Sequence, residues 1–237
     1  MNIIVFTKKL IAYEPFFKAL SNQNHNLKFI YPDSHPHKRE SHYSHFVSDC
    51  RRFKPELIIS FYYNRIIPND ILSIPTLAVN FHGAILPNYA GSHAINWQII
   101  NGERQSGVTI HELTKDIDGG RIIKQNKFEI SRCDTAREVL QKGVSQSAHL
   151  LYEFLEDYKN NTLVFKEQIK SGEEFQCVKR KPEDGEITKD MTDEQAYNMI
   201  RALVHPWPGV YYFNQDNQKI IIKDYLSLEQ VRGLLRQ

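Results

Sequence analysis

Cysteine is scarce in this chain: Cys50, Cys133 and Cys177 are the whole complement, odd in number and far apart. Such usage excludes a disulfide framework and a zinc site built on thiolates, and it points to a reducing compartment. An excess of charge of either sign is also missing, since 30 Lys and Arg face 28 Asp and Glu for a net charge of +2. No overall field for a nucleic-acid partner follows from that balance, although a local cluster can still grip a phosphate. No apolar run approaches the ~20 residues that a membrane helix needs. The segment Met1-Asn2-Ile3-Ile4-Val5-Phe6 has neither the charged head nor the small-residue cleavage site of a signal peptide. A cytoplasmic protein with no membrane partner is the expectation. Internal repeats and low-complexity tracts are absent, and no Gly-x-Gly-x-x-Gly dinucleotide fingerprint follows the first apolar run.

What is present is 237 residues, 41% hydrophobic and 24% charged, enough for one large domain with a core and a small appendage. The pattern alternates strands and helices, which predicts an α/β fold with a mostly parallel sheet. Strands are expected over 2–6, 27–31, 57–61 and 77–79, with helices over 15–21 and 44–53 between the first three. Pro75, Gly83, Pro87, Gly91 and Gly102 then break the middle into short segments in which loops carry function, with a helix over 93–101. A hairpin over 108–112 and 121–130 follows, turning at Asp118-Gly119-Gly120. Asp134 is the expected N-cap of a long helix to about residue 160, with Val139, Leu140, Val144, Leu151 and Leu155 at helical spacing. The composition shifts at Lys179-Arg180-Lys181-Pro182-Glu183-Asp184-Gly185. Beyond Ile187, a helix over 192–203 and a hairpin around Gln215-Asp216-Asn217 are expected to pack on the core or on another subunit.

Three residues carry the chemistry. Asn80 and His82, in Asn80-Phe81-His82, stand where the Leu77-Ala78-Val79 strand ends, and Asp118 follows the Gly107-Val108-Thr109-Ile110 strand. Each has an ordinary structural reading when taken singly, the Asn as a turn former and the Asp before Gly-Gly as a turn residue. An amide, an imidazole and a carboxylate brought together can polarise a carbonyl and move a proton, so acyl transfer to an amine is the reaction that suits them. His35, His37, His42 and His45 form a second cluster, for which a solvated polar loop is the expectation rather than a metal site. Trp207, between Pro206 and Pro208, reads as a rigid apolar element for packing or subunit contact.

The run Asn80-Phe81-His82-Gly83-Ala84-Ile85-Leu86-Pro87, then Trp97, Asn101-Gly102-Glu103, Gly107-Val108-Thr109-Ile110-His111 and Asp118-Gly119-Gly120-Arg121-Ile122-Ile123, resembles the folate-dependent formyltransferase family. Weaker similarity extends from residue 1 to about 187. The resemblance implies a Rossmann-like formyltransferase core over 1–187, and a small helix and β-hairpin extension over 188–237 that serves as a dimerisation element in a homodimer. It implies Asn80, His82 and Asp118 as catalytic triad and 10-formyltetrahydrofolate as co-substrate, with no metal. The loop over 62–68 resembles the family's folate-contacting loop, so Tyr63, Asn64, Arg65, Ile66 and Ile67, with Gly119, are the expected folate contacts. Two departures touch the loop contacts: Ala84 stands where many members have Ser, and Ala90 where Arg often precedes the Gly.

Within the family, the short C-terminal part and balanced charge favour a small acceptor over tRNA, and the motifs are most similar to the sugar N-formyltransferases. The implied partner is a nucleotide-linked amino sugar, first dTDP-4-amino-4,6-dideoxyglucose for O-antigen synthesis, then GDP-perosamine or a UDP-linked amino sugar. Lys8 and Lys9 follow the first strand, at the end where open α/β sheets bind ligands, and are assigned to its diphosphate. Tyr89 and Trp97 are assigned to stacking around the substrate or pterin. The competing readings are a methionyl-tRNA formyltransferase, a 10-formyltetrahydrofolate hydrolase, and an idle folate- or nucleotide-sugar-binding module.

Overall fold

Leu57-Ile58-Ile59-Ser60-Phe61 has every residue buried, as a strand covered on both faces requires. The computed structural model describes residues 1–235. Its first half runs β1 (Asn2–Thr7), α1 (Glu14–Ser21), β2 (Asn26–Ile30), α2 (Tyr43–Arg52), β3 (Leu57–Phe61), a short α3 (Asn69–Leu72) and β4 (Leu77–His82). Next come β5 (Ala90–Gly91), α4 (Ala94–Ile100), the hairpin β6 (Gln105–Glu112) and β7 (Ile122–Glu129), and the long α5 (Ala136–Asn160). The chain then passes through β8 (Gln176–Cys177), α6 (Asp193–Ala202), the hairpin β9 (Val210–Phe213) and β10 (Lys219–Ile222), and α7 (Leu228–Leu235).

The central sheet has the order β2-β1-β3-β4-β6-β7. Its first four strands are parallel, while β6 runs antiparallel to both β4 and β7. Period-two alternation divides β1 between two layers. Ile3 and Val5 face the large core with Phe16 and Leu20 of α1 and Val144 and Leu151 of α5, whereas Ile4 and Phe6 face a smaller cluster with Cys50 of α2 and Ile71 of α3.

The expected elements are present, with three differences. α5 is capped by Thr135, whose side chain accepts the Arg137 N–H while Glu138 accepts the Thr135 N–H, a reciprocal capping box. Asp134, the expected cap, has Arg137 three residues on and cannot form that box; it accepts the Ser131 N–H at 2.8 Å and pairs with Lys142 instead. The His35 segment is not wholly solvated. His35 is buried, with Nδ1 2.6 Å from the Tyr63 hydroxyl, and burial next to Arg65 pulls it down to about 4, while His37, His42 and His45 are exposed. Finally, the β5–β8 pairing, α3 and α7 lie outside the expected elements, although Leu228, Val231 and Leu234 of α7 stand at helical spacing.

The residues after Ile187 are tied to the core by polar contacts in an apolar setting. Arg201 of α6 is 2% exposed and donates from Nη1 to the Asp134 carbonyl at 2.7 Å and from Nε to Asn198 Oδ1 at 2.9 Å. Asn96 of α4 donates to the Ala202 carbonyl at 2.6 Å. Removing a buried charged donor leaves its acceptors unpaired, which costs about 2–4 kcal/mol. Arg201→Met is expected to lose that much in urea denaturation; an unchanged midpoint would show that the tie is energetically idle.

Candidate active site

The register of β4 against β6 builds the centre. Asn80 lies opposite His111 and His82 opposite Thr109, so the two C-terminal residues of β4 that carry polar chemistry meet two polar side chains of β6. Thr109 Oγ1 donates to the Ala84 carbonyl at 2.6 Å and accepts the Leu86 N–H at 3.2 Å, which holds the turn that follows His82. Gln98 of α4 donates to the Gly83 carbonyl at 2.9 Å from the other side.

Asp118 arrives from the β6–β7 loop with φ +49°, in the left-handed region. Two glycines make its approach possible. A Cβ on Gly120 would sit 2.1 Å from the Glu112 carbonyl oxygen, and one on Gly91, at φ +106°, would sit 2.3 Å from that of Cys177. The close β5–β8 approach that Gly91 permits also aims its N–H at Asp118 Oδ2, at 2.8 Å.

Asn80, His82 and Asp118 therefore converge. Asn80 Nδ2 lies 3.3 Å from Asp118 Oδ1 and 3.2 Å from His111 Nε2, and His82 Nδ1 lies 3.4 Å from Asp118 Oδ2. His82 Nε2 is 2.8 Å from the Tyr89 carbonyl, so this nitrogen carries a proton and donates, leaving Nδ1 as the exchangeable position. His111, buried beneath the trio, points Nδ1 at the Glu112 carbonyl at 2.8 Å and Nε2 at Asp118 Oδ1 at 3.4 Å. Its place in the pairing register is the signal that separates it from an ordinary core histidine, and a linear sequence does not display that register.

Burial alone would raise the Asp118 carboxyl, yet His82, His111 and the Gly91 N–H together outweigh it and hold the group well below the usual carboxylate range. Burial likewise lowers His82, and Asp118 opposes that fall. At neutral pH the pair is thus a carboxylate beside a neutral ring whose unprotonated Nδ1 lies 3.4 Å from it. Such a set can take a proton at Nδ1, stabilise the resulting cation on Asp118, and donate from the Asn80 amide, whose long contacts are readily redirected to a developing oxyanion.

Among the other expected site residues, Tyr63, Asn64, Arg65, Ile66 and Ile67 lie in the loop after β3. Tyr63 is tied to His35, Arg65 donates to the Pro32 and His35 carbonyls, Ile67 is buried, Asn64 is exposed, and Ile66 presents an apolar side chain that is 82% exposed. Gly119 directly follows Asp118 and donates to the Asp116 carbonyl at 3.2 Å. Tyr89 is buried, its hydroxyl donating to Glu103 at 2.7 Å, so it meets His82 through its backbone carbonyl. Trp97 donates from Nε1 to the Val178 carbonyl at 2.9 Å and carries the Arg180 guanidinium 4.8 Å above its ring. Lys9 sits over the Tyr31 ring at 4.7 Å, and Lys8 is half-buried without an ion-pair partner among the described residues. His93 was not foreseen: burial, then Lys8, Arg180 and Lys179, lower it, so three cations surround it beyond the β5–β8 pairing.

The arrangement brings together an amide, an imidazole and a carboxylate at the end of an α/β sheet, the groups that an acyl-transfer site needs. The chain matches a family described as formyl transferase over residues 2–155 and the formyl transferase C-terminal domain over residues 179–232. It belongs to the formyltransferase family, whose formyl donor is a formyl-tetrahydrofolate. It is 34% identical over 237 residues to the bifunctional polymyxin resistance protein ArnA of Wigglesworthia glossinidia brevipalpis, a match covering 98% of this chain and 35% of that protein. The chain thus spans about a third of the length of that relative. Its fold is shared with a 4-N formyltransferase from Francisella tularensis, at a TM-score of 0.75 and 20% identity over 95% of this chain and 97% of the other. A methionyl-tRNA formyltransferase from Clostridium thermocellum matches at a TM-score of 0.73 and 20% identity, over 96% of this chain and 99% of the other.

Replacement of Asn80 or His82 by Ala, or Asp118 by Asn, is expected to lower kcat by about 10²- to 10⁴-fold with the melting temperature nearly kept. With His82 as the base, the neutral ring is the competent form, and kcat should be flat above pH ~6.5 and fall only as pH drops through the lowered pKa of His82. Asp118→Asn should move that limb further down, because the carboxylate is what opposes burial. A limb at or above the ordinary histidine value would contradict the assignment.

Proposed function

We propose that this chain transfers the formyl group of 10-formyltetrahydrofolate to the amine of a nucleotide-linked amino sugar, first dTDP-4-amino-4,6-dideoxyglucose, for surface polysaccharide (O-antigen) biosynthesis. The convergence of Asn80, His82 and Asp118 carries the reading. The neutral amine attacks the formyl carbon, the oxyanion of the tetrahedral adduct accepts a hydrogen bond from Asn80, and His82 Nδ1 takes the proton that the amine loses. The adduct then collapses by breaking the bond to N10 of the folate, which regains a proton, leaving tetrahydrofolate and the formamide. Tyr63, Asn64, Arg65, Ile66, Ile67 and Gly119 line the folate side in this reading.

Support for a diphosphate on the acceptor comes from the cations around His93. Lys8 at the carboxyl end of β1 and Arg180 on Trp97 are part-buried and have no carboxylate ion pair among the described residues, and both lower the neighbouring His93. Part-buried cations without counter-charges suit an anionic ligand. Proteins of the same fold described as sugar N-formyltransferases support a sugar amine as the acceptor.

Mass spectrometry after incubation with 10-formyltetrahydrofolate and a panel of dTDP-, GDP- and UDP-linked amino sugars, with methionyl-tRNA alongside, tests the reading. A formyl mass gain on a nucleotide-linked sugar is expected; folate deformylation without any formylated acceptor would establish a hydrolase. Lys8→Ala and Arg180→Ala should each raise KM for the sugar nucleotide about tenfold or more, while KM for the folate stays within about twofold.

The extension over 188–237 is proposed as the contact of a homodimer. Phe213, Ile221 and Tyr225 are 43%, 54% and 41% exposed on or beside its hairpin, an apolar face of the kind that subunits cover. Sedimentation velocity is expected to show a dimer that Ile221→Lys converts to monomer; a wild-type monomer at working concentration would exclude it.

A further inference from the structure

The carboxylate of Asp118 is held at its oxygens, and its backbone is held separately. Gln168, in the strap that returns from α5 towards β8, donates from Nε2 to the Asp118 carbonyl at 2.7 Å and to the Gly120 carbonyl at 2.7 Å. One amide thus spans both sides of the Gly119 peptide. The strap is laid against the loop at two further points. Ile122 and Lys166 exchange backbone hydrogen bonds of 2.8 Å in each direction, and the Phe165 ring lies 4.6 Å from the Arg121 guanidinium. Arg121 in turn forks onto Glu112, at 2.6 and 2.8 Å, closing the base of the loop.

Within the loop itself, the hydrogen bonds near Asp118 are few and long. Gly119 N–H reaches the Asp116 carbonyl at 3.2 Å, and Thr114 Oγ1 donates to that same carbonyl at 3.2 Å. Asp118 meanwhile occupies φ +49°, which costs a residue with a Cβ roughly 1 kcal/mol or more unless its surroundings impose it. The Gln168 amide supplies what the loop lacks, a donor for two converging carbonyls. Gln168 Oε1 is buried without a hydrogen-bond partner, so the side chain gains nothing else from this placement.

We propose that Gln168 is a positioning residue, clamping the Asp118 turn from outside the sheet so that the carboxylate stands between His82 and His111. The inference rests on the reading of Asn80, His82 and Asp118 as the reacting centre. Gln168 touches no reacting atom; it acts through the left-handed backbone of Asp118. A shift of an ångström at that carboxylate is enough to lengthen contacts already at 3.3 to 3.4 Å and to cost about 10- to 100-fold in rate.

The test compares wild type with Gln168→Leu and Gln168→Met, which keep the bulk of the side chain and remove its donor. Two readouts are taken on folded protein: the His82 ring titration by NMR, and kcat and KM in the formyl-transfer assay. The titratable groups that act on His82 are Asp118, which raises it, and His111, which lowers it, against the larger effect of burial. Release of Asp118 should therefore move the His82 midpoint to lower pH, while kcat falls about tenfold or more and KM for the folate stays within about twofold. A His82 midpoint and kcat equal to wild type in either folded variant overturns the clamp. Because the titration needs no substrate, a chain that formylates nothing in the panel would sink the functional reading while still deciding the role of Gln168.

Discussion

A single buried carboxylate governs this architecture. Asp118 is only 12% exposed at its side chain, and a carboxylate withdrawn from water costs several kcal/mol unless donors replace its hydration shell. Four groups surround it: the Asn80 amide at the end of β4, which donates to it, the His82 and His111 rings at 3.4 Å, which stabilise it when charged, and the Gly91 N–H of β5, which donates at 2.8 Å. Only His111, seven residues before it, is near Asp118 in sequence. The antiparallel pairing of β6 on β4 brings the first three within reach, and the β5–β8 contact, possible only because Gly91 has no Cβ, aims the fourth. The sheet topology is in this sense a device for keeping one acid ionised in an apolar place.

Where the sheet changes direction decides where ligands can lie. Among the parallel strands the order β2-β1-β3-β4 reverses the direction of travel between β1 and β3, and open α/β sheets bind ligands at the carboxyl ends flanking such a reversal. Lys8 leaves β1 there and the Tyr63 to Ile67 loop leaves β3 there. The antiparallel strand β6 then adds what a purely parallel sheet lacks, a neighbour whose side chains meet the ends of β4 in register. The loops proposed to face the ligands and the groups proposed to move the proton thus belong to adjoining strands, the first to the parallel half and the second to the junction.

Much of this was legible in the residues. Continuous apolar runs marked the central strands because burial on both faces leaves no room for alternation, and Asn80, His82 and Asp118 were visible as polar groups placed where such runs stop. The start of α5 was off by one residue, since Asp134 and Thr135 are both good caps and only the Glu138 reciprocal bond distinguishes them. Other features depend on pairings between distant segments. His111 looks like any core histidine until its partner across the ladder is Asn80, and Gln168 sits in an irregular strap where neither a 2.0 nor a 3.6 period exists. His35 misled for a related reason: its polar neighbours suggested solvent, but Phe6, Phe46 and Tyr63 close over it from other elements.

The proposed acceptor brings a further electrostatic demand. An amine must be neutral to attack, and an alkylammonium of ordinary pKa is almost wholly protonated near pH 7. Cations near an amine favour loss of that proton, as they do for His93, which Lys8, Arg180 and Lys179 push down after burial has done so. A bare cationic row would also repel the incoming ammonium. A substrate that carries its own diphosphate resolves the conflict, since its two negative groups occupy the row while the amine, a sugar ring away, lies beside the neutral His82. The same diphosphate would explain why charge balance over the whole chain says so little about the ligand: the relevant field comes from Lys8, Arg180 and Lys179 around His93, not from the sum over 237 residues.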